Sequence, residues 1–125
     1  MRLITRSGLF GLATLAFAMA ANPAVAAPKT SPLIVIATIV AKPDQADSLR
    51  TVLVKFAAST RREKGCVSYT LYEDEQRRGR FYTYETWTEQ GALTAHMTSP
   101  AMQAAVAAVG PFLESAPVIS TLKKI

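Results

Sequence analysis

His96 is the only histidine in the chain, and it follows the only tryptophan, Trp87, by nine residues. It is the one side chain whose ordinary pKa lies near neutrality. An imidazole so placed can act as a general base or hydrogen-bond a substrate oxygen. It can equally tie a helix to a sheet from the exposed edge of the core. Phe81, Glu85 and Trp87 are spaced so that an extended strand puts all three on one face. The two rings can form an aromatic wall for a flat substrate, or simply fill a core. A carboxylate on the same face is costly unless partnered. Glu85 is therefore expected to contact the site while pairing with an arginine or holding His96 in one tautomer. Cys66 has no activating partner on its own element and reads as a packing position.

The same residue types exclude other chemistry. One cysteine allows no internal disulfide, and one histidine allows no zinc site built from several Cys and His. No glycine-rich dinucleotide fingerprint is present, and a lone histidine cannot build a His-based facial metal site. The expectation is a site with no metal and no cofactor. Half of the 125 residues are hydrophobic and 18% are charged, which fits one compact domain and not a disordered chain. Basic residues are interleaved with acids, as in Arg61-Arg62-Glu63-Lys64 and the run from Glu73 to Arg80. These read as solvated surface, not as the basic stripe a nucleic acid would need, so no nucleic-acid partner is expected.

Stepwise along the chain, residues 33–41 are a β-branched run, apolar on both parities, read as a strand with both faces buried. Pro43-Asp44 is expected to start a helix whose stripe is Ala46, Leu49, Val52, Leu53, Phe56 and Ala57, ending at Gly65. Residues 66–72 read as a second strand with Val67, Tyr69 and Leu71 on one face. Residues 73–79 form a charged hairpin loop, and 80–87 a third strand. Thr88 is expected to cap a short helix to about Met97, and Ser99-Pro100 to start another that Gly110-Pro111 closes. Residues 118–122 are the last strand. The order β-α-β-β-α-α-β predicts an α+β fold with a ferredoxin-like, split βαβ sheet. Helices cover only one face of such a sheet, so a second copy is expected on the other, making a homodimer.

The first 26 residues read as a secretory signal peptide. Arg2 and Arg6 form a positive start, residues 9–21 an uncharged run, and Ala24-Val25-Ala26 a small-x-small cleavage signal. The cut is expected between Ala26 and Ala27, followed by a linker over 27–32 and a domain over 33–125. The net charge of +5 then falls to +3, because two of the basic residues leave with the segment. The apolar run is short of the ~20 residues that span a bilayer, so export to the periplasm or beyond is expected, without stable membrane insertion.

Gly65-Cys66-Val67-Ser68-Tyr69, the strand from Phe81 to Trp87, Ala92-Leu93-Thr94-Ala95-His96, Thr98-Ser99-Pro100 and the opening Ala41-Lys42-Pro43-Asp44 occur in this order. Together they resemble the antibiotic biosynthesis monooxygenase domain family, and within it the small stand-alone quinol monooxygenases. The resemblance runs from about Leu33 to Leu122. It implies a dimeric α+β barrel with a pocket between sheet and helices in each subunit. It also implies oxidation of a quinol or polyphenol-like aromatic by dioxygen, without flavin, haem or metal. His96 and Tyr69, which match the family's helix His and the Tyr after its Gly-Cys pair, are the catalytic candidates. Trp87, Phe81 and Glu85 are the substrate-binding candidates. Met97 and Met102 flank a helix break where they could line a pocket mouth. The haem-degrading branch of this fold carries an Asn on the first strand, and 33–41 has none.

Two other functions fit the same residues. Glu85 and His96 could shuttle protons in an isomerase of a small carbonyl compound, which would want a polar pocket. A dimeric binding module for a small aromatic ligand would want an aromatic pocket without a placed base.

Overall fold

The computed structural model describes residues 31–125. The expected signal segment 1–26, its cleavage point and residues 27–30 of the expected linker lie outside the described residues. The chain runs β1 (Leu33–Val40), α1 (Ala46–Thr60), β2 (Cys66–Glu73), β3 (Arg80–Trp87), α2 (Gln90–Thr98), α3 (Pro100–Val109), a 3-10 turn at Gly110–Phe112, and β4 (Val118–Leu122). The four strands form one sheet in the order β2-β3-β1-β4. Every neighbouring pair is antiparallel. This is the ferredoxin-like α+β arrangement, with the helices on one side.

Strand register decides which side chains meet the helices. Val35, Ala37 and Ile39 of β1 stand opposite Glu85, Thr83 and Phe81 of β3. All six are buried, as are Leu49, Leu53 and Ala57 on the facing stripe of α1. Trp87 and Tyr69 extend the same layer beside Val35. Burial of this apolar layer is the main stabilising contribution, at about 25 cal/mol for each Å² of apolar surface removed from water.

The opposite side of the sheet is the one on which a second copy is expected. Ile34, Ile36, Thr38 and Val40 are only half-buried in the single chain, and Tyr84, across from Ile36, is 40% exposed. Both faces are apolar, but the described chain covers only one.

Three local departures have identifiable causes. Pro43 and Asp44 form a turn, not a helix start. The Gln45 amide bonds the Lys42 carbonyl at 3.1 Å, and Asp44 sits at φ 62, a left-handed conformation that no helix residue adopts. The helix begins at Ala46. Thr88 does not cap α2: its amide bonds the Gly65 carbonyl at 2.9 Å, and Glu89 is the residue before the first turn. Val67 does not share a face with Tyr69 and Leu71. A register shift between Cys66 and Ser68 pairs Cys66 with Trp87 and turns Val67 out to 58% exposure, as a bulge does.

Ser99 and Pro100 act as expected. The Ser99 hydroxyl accepts from the Met102 amide at 3.0 Å, and Pro100 occupies the first helical position of α3. The hairpin tip is more ordered than a solvated charge run. Asp74 accepts from the amides of Gln76 and Arg77. Glu73 accepts from the Gly79 amide at 3.0 Å and from Arg50 of α1. The Gly79 amide and the Arg50 guanidinium hold the Glu73 carboxyl below the usual range.

Candidate active site

An apolar cavity of about 270 Å³ lies between the helix side of the sheet and helices α1–α3. Val35, Ala37 and Ile39 form its floor, Leu53 and Phe56 one wall, Met102 and Val106 another, with Pro117 and Ile119 closing the side at β4. Only three of its lining residues carry polar side-chain groups: Tyr69, Glu85 and His96.

His96 is 2% exposed, so it is not the edge imidazole the sequence suggests. Its Nδ1 lies 2.8 Å from Oε2 of Glu63. A carboxylate accepts, so Nδ1 is the donor of this pair, and in the neutral ring the lone pair is then on Nε2. Among the described residues Nε2 has no hydrogen-bond partner. The imidazole lies against the Trp87 indole, ring centres 4.7 Å apart, and near Phe56 and Tyr69. The result is an imidazole held on several sides in one tautomer and one orientation.

Glu63 is the residue that sequence reasoning missed. It lies in a charge run just past α1, where solvation is the ordinary outcome. The chain turns sharply there: the Glu63 amide bonds the Thr60 carbonyl, and the Cys66 amide bonds the Glu63 carbonyl. That turn carries its carboxylate under α2. The one available signal is Gly65 closing this turn directly before Cys66.

Glu85 therefore does not hold His96, nor does it pair with an arginine. Oε1 accepts from the Thr83 hydroxyl at 2.8 Å and Oε2 from the Trp87 indole N–H at 2.9 Å. Thr83 in turn accepts from the Ala37 amide at 3.2 Å. The carboxylate is 5% exposed and reaches the cavity. Tyr69 reaches it from β2. Burial first, and then the Glu85 charge, push the Tyr69 phenol well above its usual range. It stays protonated and can only donate to an oxyanion. The Cys66 thiol is also pushed up, by burial and then by Glu63 and Glu85, which disfavours the thiolate a nucleophile needs.

Phe81 and Trp87 share the helix-facing side with Glu85 but do not line the cavity. Phe81 packs with Leu49 and Leu53, under the Arg50 guanidinium at 5.8 Å. Trp87 is fully buried beneath His96, so it supports the site from behind. Strand parity places side chains on a face; it does not say which of them a helix covers. Met97 and Met102 do line the cavity.

A wider cleft of about 550 Å³ opens beside Val40 and the β2–β3 hairpin, lined by charged residues and away from His96. Its Arg78 pairs with Asp47, and its Lys42 with the Pro111 carbonyl. Among the described residues no three His, Cys, Asp or Glu side chains converge as metal ligands. No helix there is long and apolar enough to cross a membrane.

Residues 32–108 match a protein family described as Antibiotic biosynthesis monooxygenase. A Synechocystis protein described as uncharacterized, sll1783, is 35% identical over 69 residues, 55% of this chain and 47% of its own length. The chain thus spans about half the length of that relative. The Mycobacterium tuberculosis protein named "Putative monooxygenase Rv0793" is 39% identical over 71 residues, 57% of this chain and 69% of its own. Its crystal structure superposes with a TM-score of 0.70 at 34% identity, covering 76% of this chain and 96% of that one. PA3566 from Pseudomonas aeruginosa superposes with a TM-score of 0.72 at 30% identity, covering 78% and 97%.

Proposed function

Because the chain belongs to the antibiotic biosynthesis monooxygenase family, we propose that it is a cofactor-independent monooxygenase that oxidises a small quinol-like aromatic with dioxygen. The observation that carries this reading is the His96–Glu63 pair at the edge of an apolar cavity. Without a cofactor, the substrate itself must reduce dioxygen, and only its anion is electron-rich enough. His96 Nε2 takes a phenolic proton, and the Glu63 carboxylate stabilises the imidazolium that forms. Tyr69 donates to the substrate oxyanion. The anion passes an electron to dioxygen, and recombination forms a C–O bond at a ring carbon. His96 returns its proton to the ring-bound peroxide, and the ring proton then leaves with the outer oxygen as water, which leaves a carbonyl there. One oxygen atom stays in the product and the other leaves as water, so no external reductant is needed. The apolar walls keep bulk water from the anion and its radical.

An isomerase of a polar carbonyl compound would suit a polar cavity, and this one is apolar apart from three groups. A passive binding module gives no reason for an imidazole oriented by a carboxylate at the edge of the cavity. Oxygen uptake on purified protein, with a panel of naphthalene and benzene quinols, tests the proposal. Uptake above the autoxidation rate, with a product one oxygen richer, is the expected outcome. Uptake equal to autoxidation for every quinol would defeat it.

The functional unit is proposed to be a homodimer joined through the open sheet face. That face presents Ile34, Ile36, Tyr82 and Tyr84, and it is more apolar than a solvated surface needs. Sedimentation velocity at micromolar concentration should give twice the chain mass, and Tyr84→Glu should give the monomer. A wild-type monomer at that concentration would contradict the assignment.

A further inference from the structure

Glu85 has a feature that general base chemistry does not use. It is a carboxylate buried to 5% exposure, reaching an apolar cavity, with no ion pair to any described lysine or arginine. Two neutral donors hold it, the Thr83 hydroxyl and the Trp87 indole. Thr83 also accepts from the Ala37 amide. Each carboxylate oxygen accepts from one of the two donors. A carboxylate oxygen can accept two hydrogen bonds and each of these accepts one, and a buried carboxylate with so few partners in an apolar site is costly.

The cavity therefore holds two acceptors and one donor: Glu85, His96 Nε2 and the Tyr69 hydroxyl. We propose that Glu85 is a specificity-determining residue, selecting aromatics that bring a second hydroxyl and rejecting those that bring a carboxylate. The proposal rests on the reading of this cavity as the substrate site. One hydroxyl of the substrate gives its proton to His96, and the other donates to Glu85. A charge-assisted hydrogen bond inside a low-dielectric site is stronger than a neutral one. An ether at that position removes the bond and leaves the carboxylate desolvated. An anionic substituent meets like charge at short range, where the apolar walls screen it poorly.

The test reads binding without turnover, so that it stands apart from the oxygenase chemistry. Trp87 is the only tryptophan, it bonds Glu85 and it stacks on His96, so its fluorescence reports occupancy. Titrations without oxygen would use 1,4-dihydroxynaphthalene, its monomethyl ether, and 4-hydroxy-1-naphthoate. The wild type should bind the diol on the order of 10–100-fold more tightly than the ether and the acid not measurably. Glu85→Gln should narrow the diol-to-ether ratio to within about threefold and admit the acid. A wild type that binds diol and ether equally, or a folded Glu85→Gln protein with an unchanged ratio, would overturn the proposal. The wild-type ratio decides even where the variant fails to fold. Diol selectivity without oxygen uptake would sink the oxygenase reading and leave this one standing.

Discussion

Replacing His96 by Gln is expected to lower quinol turnover by on the order of 10²–10⁴-fold, the range a general base contributes. Glutamine is the suitable replacement because the imidazole is buried against Trp87 and bonded to Glu63. Alanine would empty a space against the indole and mix a packing defect with the loss of the base. Gln keeps most of the volume and can still donate to Glu63, but it cannot take up a proton at neutral pH. Substrate binding, read by Trp87 fluorescence, should change far less than the rate. The decisive comparison is steady-state oxygen uptake beside a matched thermal melt. A folded His96→Gln protein with the wild-type rate would take His96 out of the mechanism. The remaining route would be a substrate that ionises unaided, with its anion held by Tyr69.

Gly65→Ala is expected to be the most damaging single methyl in the fold. Gly65 adopts φ +85, and an added Cβ would lie 2.3 Å from the Ala92 Cβ and 2.9 Å from the Thr88 hydroxyl. The left-handed conformation costs a non-glycine residue about 1–3 kcal/mol. Overpacking adds about 1–3 kcal/mol more. A melting temperature lowered by roughly 10–30 °C follows for a domain of this size. Activity should fall with it at temperatures where the variant is still folded, because Ala92 lies one helical turn before His96 on α2. Circular dichroism melts settle the first part, and a melting temperature within a few degrees of wild type would refute it.

Elements with strong local signals were legible in the sequence. β3 and β4 have the bounds that alternation and β-branching indicate, and Ser99-Pro100 starts α3 as a cap followed by proline should. The errors arose where two residues far apart in sequence decide the local geometry. Pro43-Asp44 looks like a helix start, but the turn is fixed by Ala41 bridging to Leu113 and bonding Gly79. The bulge at Cys66 leaves no composition mark. In the site, strand parity correctly grouped Phe81, Glu85 and Trp87, but only the helix positions show that Glu85 alone reaches the cavity. Glu63 was hidden because a charge after a helix is ordinarily solvated, and nothing local says that α2 will descend on it.

The placement of β1 has a kinetic consequence. Ile36, at the middle of the sheet, is flanked by Tyr84 and Ser120, and neither neighbour is close in the chain. Only β2 and β3 are joined by a short hairpin. Closing the remaining ladders means bringing distant segments together before any contact rewards the lost freedom of the loops between them. Folding should therefore be slow for a chain this small. The β2–β3 hairpin can form early, while the chamber walled by β1, α3 and β4 appears only when the last ladder closes. Turnover regained during refolding would then lag behind the recovery of strand signal, since the chemistry waits for the slowest pairing.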